Sequence, residues 1–478
     1  MNKNKNKKTF YIVGGVFFLL AVIYIAAIDW ATERFGITIK ELLYTVLSPL
    51  KGADTGFLTE AVLYVLPPVL TFLALWAVYV LVDQKLRRKL SAALIIKGRK
   101  RHVSLNLFQL FRKCLILVAV GAVLCTSIKA NNTFQVTEFV SSYIHKTTLY
   151  EECYVNPSEA SITAPEKARN LIYIYLESME TTYASQADGG YQSDTNYIPN
   201  LTRMAAENIS FSNSQKLGGF YSVSGTGWTM GSLFATTTGV PFSFPVNGNS
   251  MNTRENFASG ITALGDVLEQ NGYRQMFLCG SDGDFAGRKS YFMQHGNYEI
   301  FDLFSAREEG YIPEDYYVWW GYEDLYLYEI AKDQLTELAK DDSQPFNFTM
   351  LTVDTHHVDG YVCENCSSEY DTQLANVLTC ADSQVYEFIE WCKQQSFYED
   401  TVIIVTGDHP RMDTTLVSGA SARTIYNCFL NTDKDIGALN LTDRIFTAMD
   451  IFPTVLSALN FEIDGNRLGL GTDLFSGE

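Results

Sequence analysis

Basic residues are scarce in most of this 478-residue chain, and charge is nearly missing from three stretches near its start. Residues 131–478 hold 18 Lys and Arg against 48 Asp and Glu, whereas residues 1–130 hold 18 against 6. An acidic surface of this kind repels phosphate backbones, so we expect no nucleic-acid partner. The glycine-rich stretch 225–231 has no Lys followed by Ser or Thr, which excludes a P-loop there.

The three charge-poor stretches predict membrane-spanning helices. Residues 10–28 carry no charged side chain and are long enough to cross a bilayer. Residues 57–82 contain only Glu60 and include Pro67-Pro68, which neighbouring helices can accommodate. Residues 115–128, extended upstream by 107–110, form a shorter third stretch. A cleaved signal peptide is the alternative for the first, but its apolar region would be too long and a second apolar run follows.

The distribution of Lys and Arg predicts the orientation of these helices. The first eight residues hold four Lys and no acid, and residues 83–113 hold ten Lys and Arg against one acid. Residues 29–56, between them, hold only three Lys and Arg. The positive-inside rule therefore places the head and 83–113 in the cytoplasm. We expect about three transmembrane helices in residues 1–128, a linker at 129–168 and an extracytoplasmic catalytic domain at 169–478.

Three apolar runs in this last part end in side chains that can bind a metal. Residues 170–176 lead to Glu177, residues 346–353 lead to Asp354, and residues 400–407 lead to an Asp-His pair. Strands alternating with helical patterns predict a doubly wound α/β domain with a mostly parallel sheet and helices on both faces. Ligand sites of such sheets lie outside the carboxyl ends of the strands, so all three runs point to one metal-dependent site.

Two of these runs end in an Asp followed closely by His, and the positions of these side chains depend on how the chain turns after each strand. Asp408 and His409 are adjacent and would face opposite ways in a strand, so we expect a turn at Gly407 to bring both to one ion. Asp354 is followed by His356 and His357, either of which can reach a substrate.

A glycine-rich stretch holds the candidate nucleophile. Thr229 follows Gly225 and Gly227 at the predicted start of a helix. The N-terminus of a helix favours an anion, which suits a hydroxyl that attacks phosphorus and then carries a phosphoryl group.

Cysteines are concentrated in the acidic part of the chain, which holds seven of the nine. Cys363 and Cys366 have the spacing of a tight local clamp, and we expect a disulfide between them because that part faces an oxidising exterior. The alternative is half of a zinc site, but no second Cys/His pair with suitable spacing follows.

These residues, in this order and together with Ile198-Pro199-Asn200-Leu201, resemble the alkaline phosphatase/sulfatase superfamily. Within it the chain is similar to the membrane-bound phosphoglycerol transferases and lipoteichoic acid synthases of the bacterial inner membrane. The resemblance implies that one Mn²⁺, with Mg²⁺ or Zn²⁺ as alternatives, is bound by Glu177, Thr229, Asp408 and His409. It also implies that Thr229 is the nucleophile and that His356, or its rival His357, binds substrate.

The chain departs from the lipoteichoic acid synthases beside the substrate. Their Phe-Trp-Asn-Arg motif corresponds to Phe285-Ala286-Gly287-Arg288, so Arg288 is kept for substrate binding and catalysis while Ala286 replaces Trp. The pattern is closer to the glucan phosphoglycerol transferases, and Trp319-Trp320 nearby can supply a sugar platform. A sulfatase nucleophile motif is missing at Thr229.

The resemblance implies transfer of phosphoglycerol from phosphatidylglycerol, through a phospho-threonine, to a glycan or glycolipid hydroxyl outside the cytoplasm. The alternatives are a lipoteichoic acid synthase-type glycerophosphate polymerase, a phosphoethanolamine transferase or phosphatase, and an inactive membrane receptor of the same fold.

The predicted orientation can be tested by proteolysis of spheroplasts. We expect protease added outside to cleave the chain beyond residue 129, because the basic segment 83–113 retains its end of the helices in the cytoplasm. Immunoblotting of the C-terminal part measures this. A C-terminal part that survives while an exterior marker protein is digested would contradict the orientation.

Overall fold

A computed structural model describes residues 2–34, 39, 43, 56–86, 94–96, 99–101, 107–145, 147–242, 257–437 and 439–477. Two compact units divide near residue 140. Part of the basic segment 83–113 lies outside the described residues, and the predicted membrane orientation stays a prediction.

The first unit contains the three predicted apolar helices: α1 (Asn2–Arg34), α2 (Gly56–Leu86) and α3 (Leu107–Phe134). Each includes a span long and apolar enough to cross a membrane, as the charge-poor stretches predicted. Helix α2 continues through Pro67 and Pro68. The helices pack within this unit through polar contacts near their ends, such as Lys129 Nζ to Asp29 Oδ1 at 3.0 Å. A two-stranded ribbon, β1 (Leu94–Ile96) and β2 (Arg99–Arg101), precedes α3.

The segment predicted as a linker, residues 129–168, contains regular structure. Helix α3 runs into it, and α4 (Val136–Ile144) and α5 (Leu149–Cys153) follow. Strand β3 (Ile162–Thr163) then pairs antiparallel with β12 (Glu462–Ile463). This pairing ties the start of the second unit to its far end.

A six-stranded sheet forms the centre of the second unit, in the order β11-β9-β4-β8-β6-β7. These strands are β4 (Asn170–Leu176), β6 (Arg274–Cys279), β7 (Glu299–Phe301), β8 (Phe346–Leu351), β9 (Thr401–Gly407) and β11 (Asn427–Leu430). All neighbours are parallel except β11, which pairs antiparallel with β9 at one edge. The remaining short strands are β5 (Phe220–Tyr221), β10 (Thr424–Ile425), β13 (Arg467–Leu468) and β14 (Gly471–Thr472).

Helices cover both faces of this sheet, which is why its central strands are apolar throughout. Alternate residues of β4 face opposite sides: Tyr173 and Tyr175 join one core, and Ile172 and Ile174 join the other. The first core includes helices α7 (Thr229–Thr238), α8 (Leu264–Gln270), α9 (Arg288–Gln294) and α13 (Ala448–Ala458). The second includes α6 (Pro199–Glu207), α10 (Leu303–Glu308), α11 (Asp324–Leu338) and α12 (Gln373–Cys392). The predicted fold class is confirmed.

Candidate metal centre and active site

Two adjacent parallel strands deliver the three strongest candidate ligands. Strands β4 and β9 pair with Leu176 opposite Gly407, so the residues that follow them emerge side by side. Glu177, Asp408 and His409 are all buried, with 3%, 0% and 2% of their surface exposed. One ligand atom from each lies within 4.8 Å of the others.

The spacing within this trio suits one cation. His409 Nε2 lies 3.6 Å from Glu177 Oε1 and 3.3 Å from Asp408 Oδ2. Asp408 turns back along its own chain, because its Oδ1 accepts hydrogen bonds from the backbone N–H groups of Ser178 and His409, both at 2.7 Å. The other oxygen, Oδ2, is therefore directed to the imidazole.

Gly407 has a different role from the predicted turn. Its φ lies outside the left-handed region that only glycine adopts readily, and β9 stays extended through it. A side chain at 407 would place its Cβ 2.1 Å from the carbonyl oxygen of Met179. Glycine is required here by the close approach of the neighbouring backbone, and the chain changes direction after it.

Thr229 is the first residue of helix α7 and brings a hydroxyl to the same place. Its Oγ1 is 3.4 Å from Glu177 Oε2 and 3.3 Å from His409 Nε2. The side chain is half-buried, so one side of the hydroxyl remains open to the cavity described below.

The chemistry of the trio fits a divalent cation. His409 Nδ1 lies 2.8 Å from the carbonyl oxygen of Pro410, so it carries the ring proton and leaves a lone pair on Nε2. Asp408 Oδ2 has no hydrogen-bond partner among the described residues. Burial, followed by the charge of Glu177, raises the pKa of Asp408 to about 7. Asp408 Oδ2 and the lone pair of His409 Nε2 lie 3.3 Å apart, and burying two such acceptors together is costly unless a cation lies between them.

Hydroxyl groups that the sequence analysis did not identify orient Glu177. Ser178 Oγ donates to Glu177 Oε1 at 2.6 Å, and Thr352 Oγ1 accepts from the Glu177 backbone N–H at 2.9 Å. Thr355 Oγ1 donates to the Glu177 carbonyl oxygen. Such outer partners hold a metal-binding carboxylate in position. Their sequence signal is weak, since only Ser178 adjoins a ligand.

A cavity, open at its mouth, adjoins this centre. Glu177, Thr229, Arg288 and His356 all line it. The guanidinium of Arg288 is 5% exposed and is held through Nε and Nη2 by the Phe285 carbonyl, the Asp282 carbonyl and the Ser281 hydroxyl. Its Nη1 has no hydrogen-bond acceptor among the described residues and remains for a ligand.

Of the two candidate histidines, His356 lines the cavity. Its Nδ1 lies 2.6 Å from the carbonyl oxygen of His357, so that nitrogen carries the proton and Nε2 is the acceptor. Burial, the largest influence, lowers the pKa of His356 and favours this neutral form. The ring of His357 packs against that of His356, with centroids 4.5 Å apart.

The wall beside Arg288 is aromatic although Ala286 replaces the family's Trp. Ala286 is 8% exposed and adopts a left-handed φ of 57°. The rings of Phe285 and Trp320 line the cavity and lie 5.4 Å apart. Trp320 also contacts the His356 ring at 4.6 Å between centroids. Trp320, one of the two residues expected to supply a sugar platform, therefore forms part of the wall beside Arg288.

Asp354 does not join the metal ligands, contrary to the expectation that all three strands aim at one place. Its Oδ1 accepts from the backbone N–H of Asp324, while Asp324 accepts from the N–H groups of Val353 and Asp354. This reciprocal pairing turns the carboxyl of Asp354 toward helix α11. Only β4 and β9 supply the trio.

The expected Cys363–Cys366 disulfide is also wrong in this structure. Both residues are free thiols, with sulfurs 3.6 Å apart. A third thiol, Cys380 of helix α12, lies 3.6 Å from Cys363. Cys380 was missed because helix α12 brings it to the pair from a position well beyond the local Cys-x-x-Cys spacing.

The fold is that of the alkaline phosphatase superfamily. A protein of that superfamily from Vibrio parahaemolyticus aligns with a TM-score of 0.51 at 21% identity, covering 67% of this chain and 74% of the other. The lipoteichoic acid synthase LtaP from Listeria monocytogenes aligns with a TM-score of 0.52 at 20% identity, covering 69% and 81%.

The model of the sulfatase family matches residues 169–461, more than half of the chain, and the chain belongs to that family. Phosphoglycerol transferase I from Salmonella choleraesuis is 30% identical over 451 residues, which are 91% of this chain and 53% of that protein. The same enzyme from Salmonella typhi matches equally. The chain thus spans about half the length of these relatives. The family resemblance predicted from the motifs is confirmed.

Replacing Asp408 by Asn should separate two effects of its carboxylate: destabilisation of the metal-free fold and binding of the metal ion. The folded-state pKa is raised, so above about pH 7 the ionised carboxylate destabilises the metal-free fold. We expect chelated Asp408→Asn protein to unfold at the same or a higher temperature than the unaltered chain above that pH. Added Mn²⁺ should stabilise the unaltered chain by about 2.7 kcal/mol at a hundred times Kd but should not stabilise Asp408→Asn in the same way.

Thermal unfolding with and without chelator measures both effects. Asp342→Asn, an exposed charge change, is the control and should respond to Mn²⁺ like the unaltered chain. Equal metal-induced stabilisation of Asp408→Asn would contradict the assignment of this ligand.

Proposed function

We propose that this protein transfers phosphoglycerol from phosphatidylglycerol, through a phospho-threonine, to a glycan or glycolipid hydroxyl outside the cytoplasm. One observation carries the proposal: the Thr229 hydroxyl lies 3.4 Å from Glu177 and 3.3 Å from His409 at the edge of a cavity lined by Arg288 and His356. A hydroxyl placed among candidate metal-ligand side chains, in a cavity that also holds a guanidinium and an imidazole, is arranged to attack phosphorus.

Glu177, Thr229, Asp408 and His409 would hold a divalent ion in this proposal. The oxygen-rich set with a single imidazole favours Mn²⁺, with Mg²⁺ or Zn²⁺ as alternatives. Such an ion supplies Lewis-acid stabilisation of the negative charge on the phosphoryl oxygens and of an alkoxide.

The first displacement releases the lipid. Thr229 Oγ1 forms a bond to phosphorus and the bond from phosphorus to the diacylglycerol oxygen breaks. The proton that Thr229 loses ends on that oxygen, and diacylglycerol leaves as the alcohol. The Thr229 hydroxyl is directed at Glu177 Oε2, so this oxygen can accept the hydroxyl proton as Thr229 attacks. The phosphoglycerol remains on Thr229.

The second displacement reverses the first with a different alcohol. An acceptor hydroxyl attacks phosphorus, and the bond between phosphorus and Thr229 breaks. His356 Nε2 is free to accept the proton of the attacking hydroxyl, because Nδ1 is held at 2.6 Å by the His357 carbonyl. Thr229 recovers a proton and the enzyme returns to its starting state.

Arg288 positions the phosphate during both steps. Three hydrogen bonds to residues 281–285 fix the plane of its guanidinium before substrate binds. A donor group held in advance loses little side-chain entropy on binding, and its remaining nitrogen can bind a phosphoryl oxygen.

The membrane helices fit a lipid donor. Three helices are long and apolar enough to cross a bilayer, and they would anchor the second unit to the membrane that contains the lipid. We place the protein in the bacterial inner membrane with residues 169–478 outside the cytoplasm. The relatives named phosphoglycerol transferase I support this choice of donor group, and the aromatic Trp320 beside His356 supports a sugar-containing acceptor.

Replacing Thr229 by Ala should remove turnover and leave the fold intact. The residue is half-buried, and its neighbour Trp228 is the helix N-cap, so we expect stability to change by no more than about 1 kcal/mol. Release of diacylglycerol should fall by at least about a thousandfold, as for other lost nucleophiles.

Diacylglycerol release from phosphatidylglycerol micelles measures this, and intact-protein mass measures any phosphoglycerol adduct. Ser224→Ala, which removes an exposed hydroxyl from the turn that precedes helix α7, should keep most activity. Near-normal release by the Thr229→Ala protein would show that another group attacks phosphorus.

The acceptor can be identified with phosphatidylglycerol labelled in its head group. We expect label to pass to an added saccharide or glycolipid hydroxyl, because Phe285 and Trp320 give the cavity an aromatic wall. Chromatography of the labelled products measures the transfer. Formation of glycerophosphate chains from phosphatidylglycerol alone, with added glycans ignored, would favour a polymerase instead.

A further inference from the structure

A second group of metal-ligating side chains lies apart from the proposed active site. The loop between β8 and α12, residues 352–372 and here called the histidine loop, carries His356 and then Cys363 and Cys366. Cys380 of helix α12 completes a trio whose sulfurs all lie within 4.8 Å of one another. Cys363 is 4% exposed, Cys380 is 8% exposed, and Cys366 is half-buried.

The sulfur positions match the edges of a tetrahedral metal–thiolate site. A Zn–S bond of about 2.3 Å places the sulfurs of a tetrahedron about 3.8 Å apart. The two separations from Cys363 are both 3.6 Å, to Cys366 and to Cys380. A disulfide requires about 2.05 Å, so each of these thiols keeps its own ligand atom.

A side-chain amide is directed at two of the three sulfurs. The Gln384 side chain donates from Nε2 to the Cys380 sulfur at 3.1 Å and faces the Cys363 sulfur at 3.6 Å. Donors directed at sulfur are the outer partners that a metal-bound thiolate needs.

An unpartnered carboxylate oxygen adds a second observation. Asp354, in the same loop, is 2% exposed, and its Oδ2 has no hydrogen-bond partner among the described residues. Cys363 and Asp354 interact electrostatically, and so do Cys363 and Asp324. Buried acidic groups and thiols gathered in one place are stabilised by a cation.

We propose that Cys363, Cys366 and Cys380 bind one Zn²⁺ ion, with a water molecule as the fourth ligand on the half-buried side of Cys366. Three thiolates select a thiophilic cation, whereas the oxygen-rich trio of the active site selects a harder one. Each thiol loses one proton when the ion binds, and no oxidant or reductant is needed.

The ion would fasten the histidine loop to helix α12. Two sets of hydrogen bonds already join them: Gln373 Nε2 donates to the Gly360 carbonyl, and the Asn376 amide bonds both backbone groups of Tyr370. Cys363 and Cys366 lie between these two attachments in the loop, and Cys380 lies on the helix. Fixing this segment fixes the polypeptide that carries His356.

Cobalt substitution tests the site without measuring activity. The full-length chain, purified in detergent under reducing conditions and freed of metal, is titrated with Co²⁺. We expect a near-ultraviolet thiolate-to-Co²⁺ charge-transfer band and the visible absorption of tetrahedral Co²⁺. Cys380→Ala should abolish both, whereas Cys392→Ala, which removes another buried thiol from the same helix, should retain them. Far-ultraviolet circular dichroism shows whether each variant is folded.

The Asp408→Asn variant separates this site from the proposed active site. Its charge-transfer band should be unchanged, because the active-site ligands include no sulfur. The chain as isolated should also contain a thiophilic metal, by mass spectrometry, that Cys380→Ala lacks. A band that is missing from the unaltered chain, a band that persists in Cys380→Ala, or a Cys363–Cys366 disulfide in the isolated protein would overturn the proposal.

Discussion

Burial of three facing acceptors is the constraint on which the rest of the site depends. Glu177, Asp408 and His409 expose at most 3% of their surface, and Asp408 Oδ2 has no donor among the described residues. Burying an uncompensated charge costs free energy, so this group of side chains is stable only if a bound cation offsets the cost. The need to bring these atoms together explains the register of β4 and β9 and the glycine at 407, which lets Met179 approach.

From this centre outward, Thr229, Arg288 and Glu177 are each held by something more rigid than a surface loop. Thr229 begins a helix whose other residues are buried, and Arg288 is fixed by the backbone of its own turn. Glu177 is oriented by hydroxyls on its own strand end and on the neighbouring one. The cavity therefore offers a hydroxyl and a cationic donor without requiring them to be assembled when substrate arrives.

The sequence predicted those parts of the site that local patterns encode. Charge-free runs identified the three apolar helices, and apolar runs that end in Glu177 and Asp408-His409 identified the strands and their ligands. Prediction from the sequence failed where packing between distant segments determines the position of a side chain. Asp354 follows a strand in the same way, yet it pairs with Asp324 of helix α11. Cys380 reaches Cys363 from helix α12, and the local Cys-x-x-Cys spacing does not reveal this contact.

The histidine loop is where these long-range contacts matter most. Twenty-one residues separate β8 from α12, and so long a connection inside a compact domain is usually functional. Its first residues must hold His356 beside Trp320 while its middle has no strand or helix to position it. Ordering such a segment costs conformational entropy at every residue. Attachment to helix α12 through Gly360, Tyr370 and the cysteine trio limits the conformations that the loop can adopt, and so helps to keep the imidazole at the cavity.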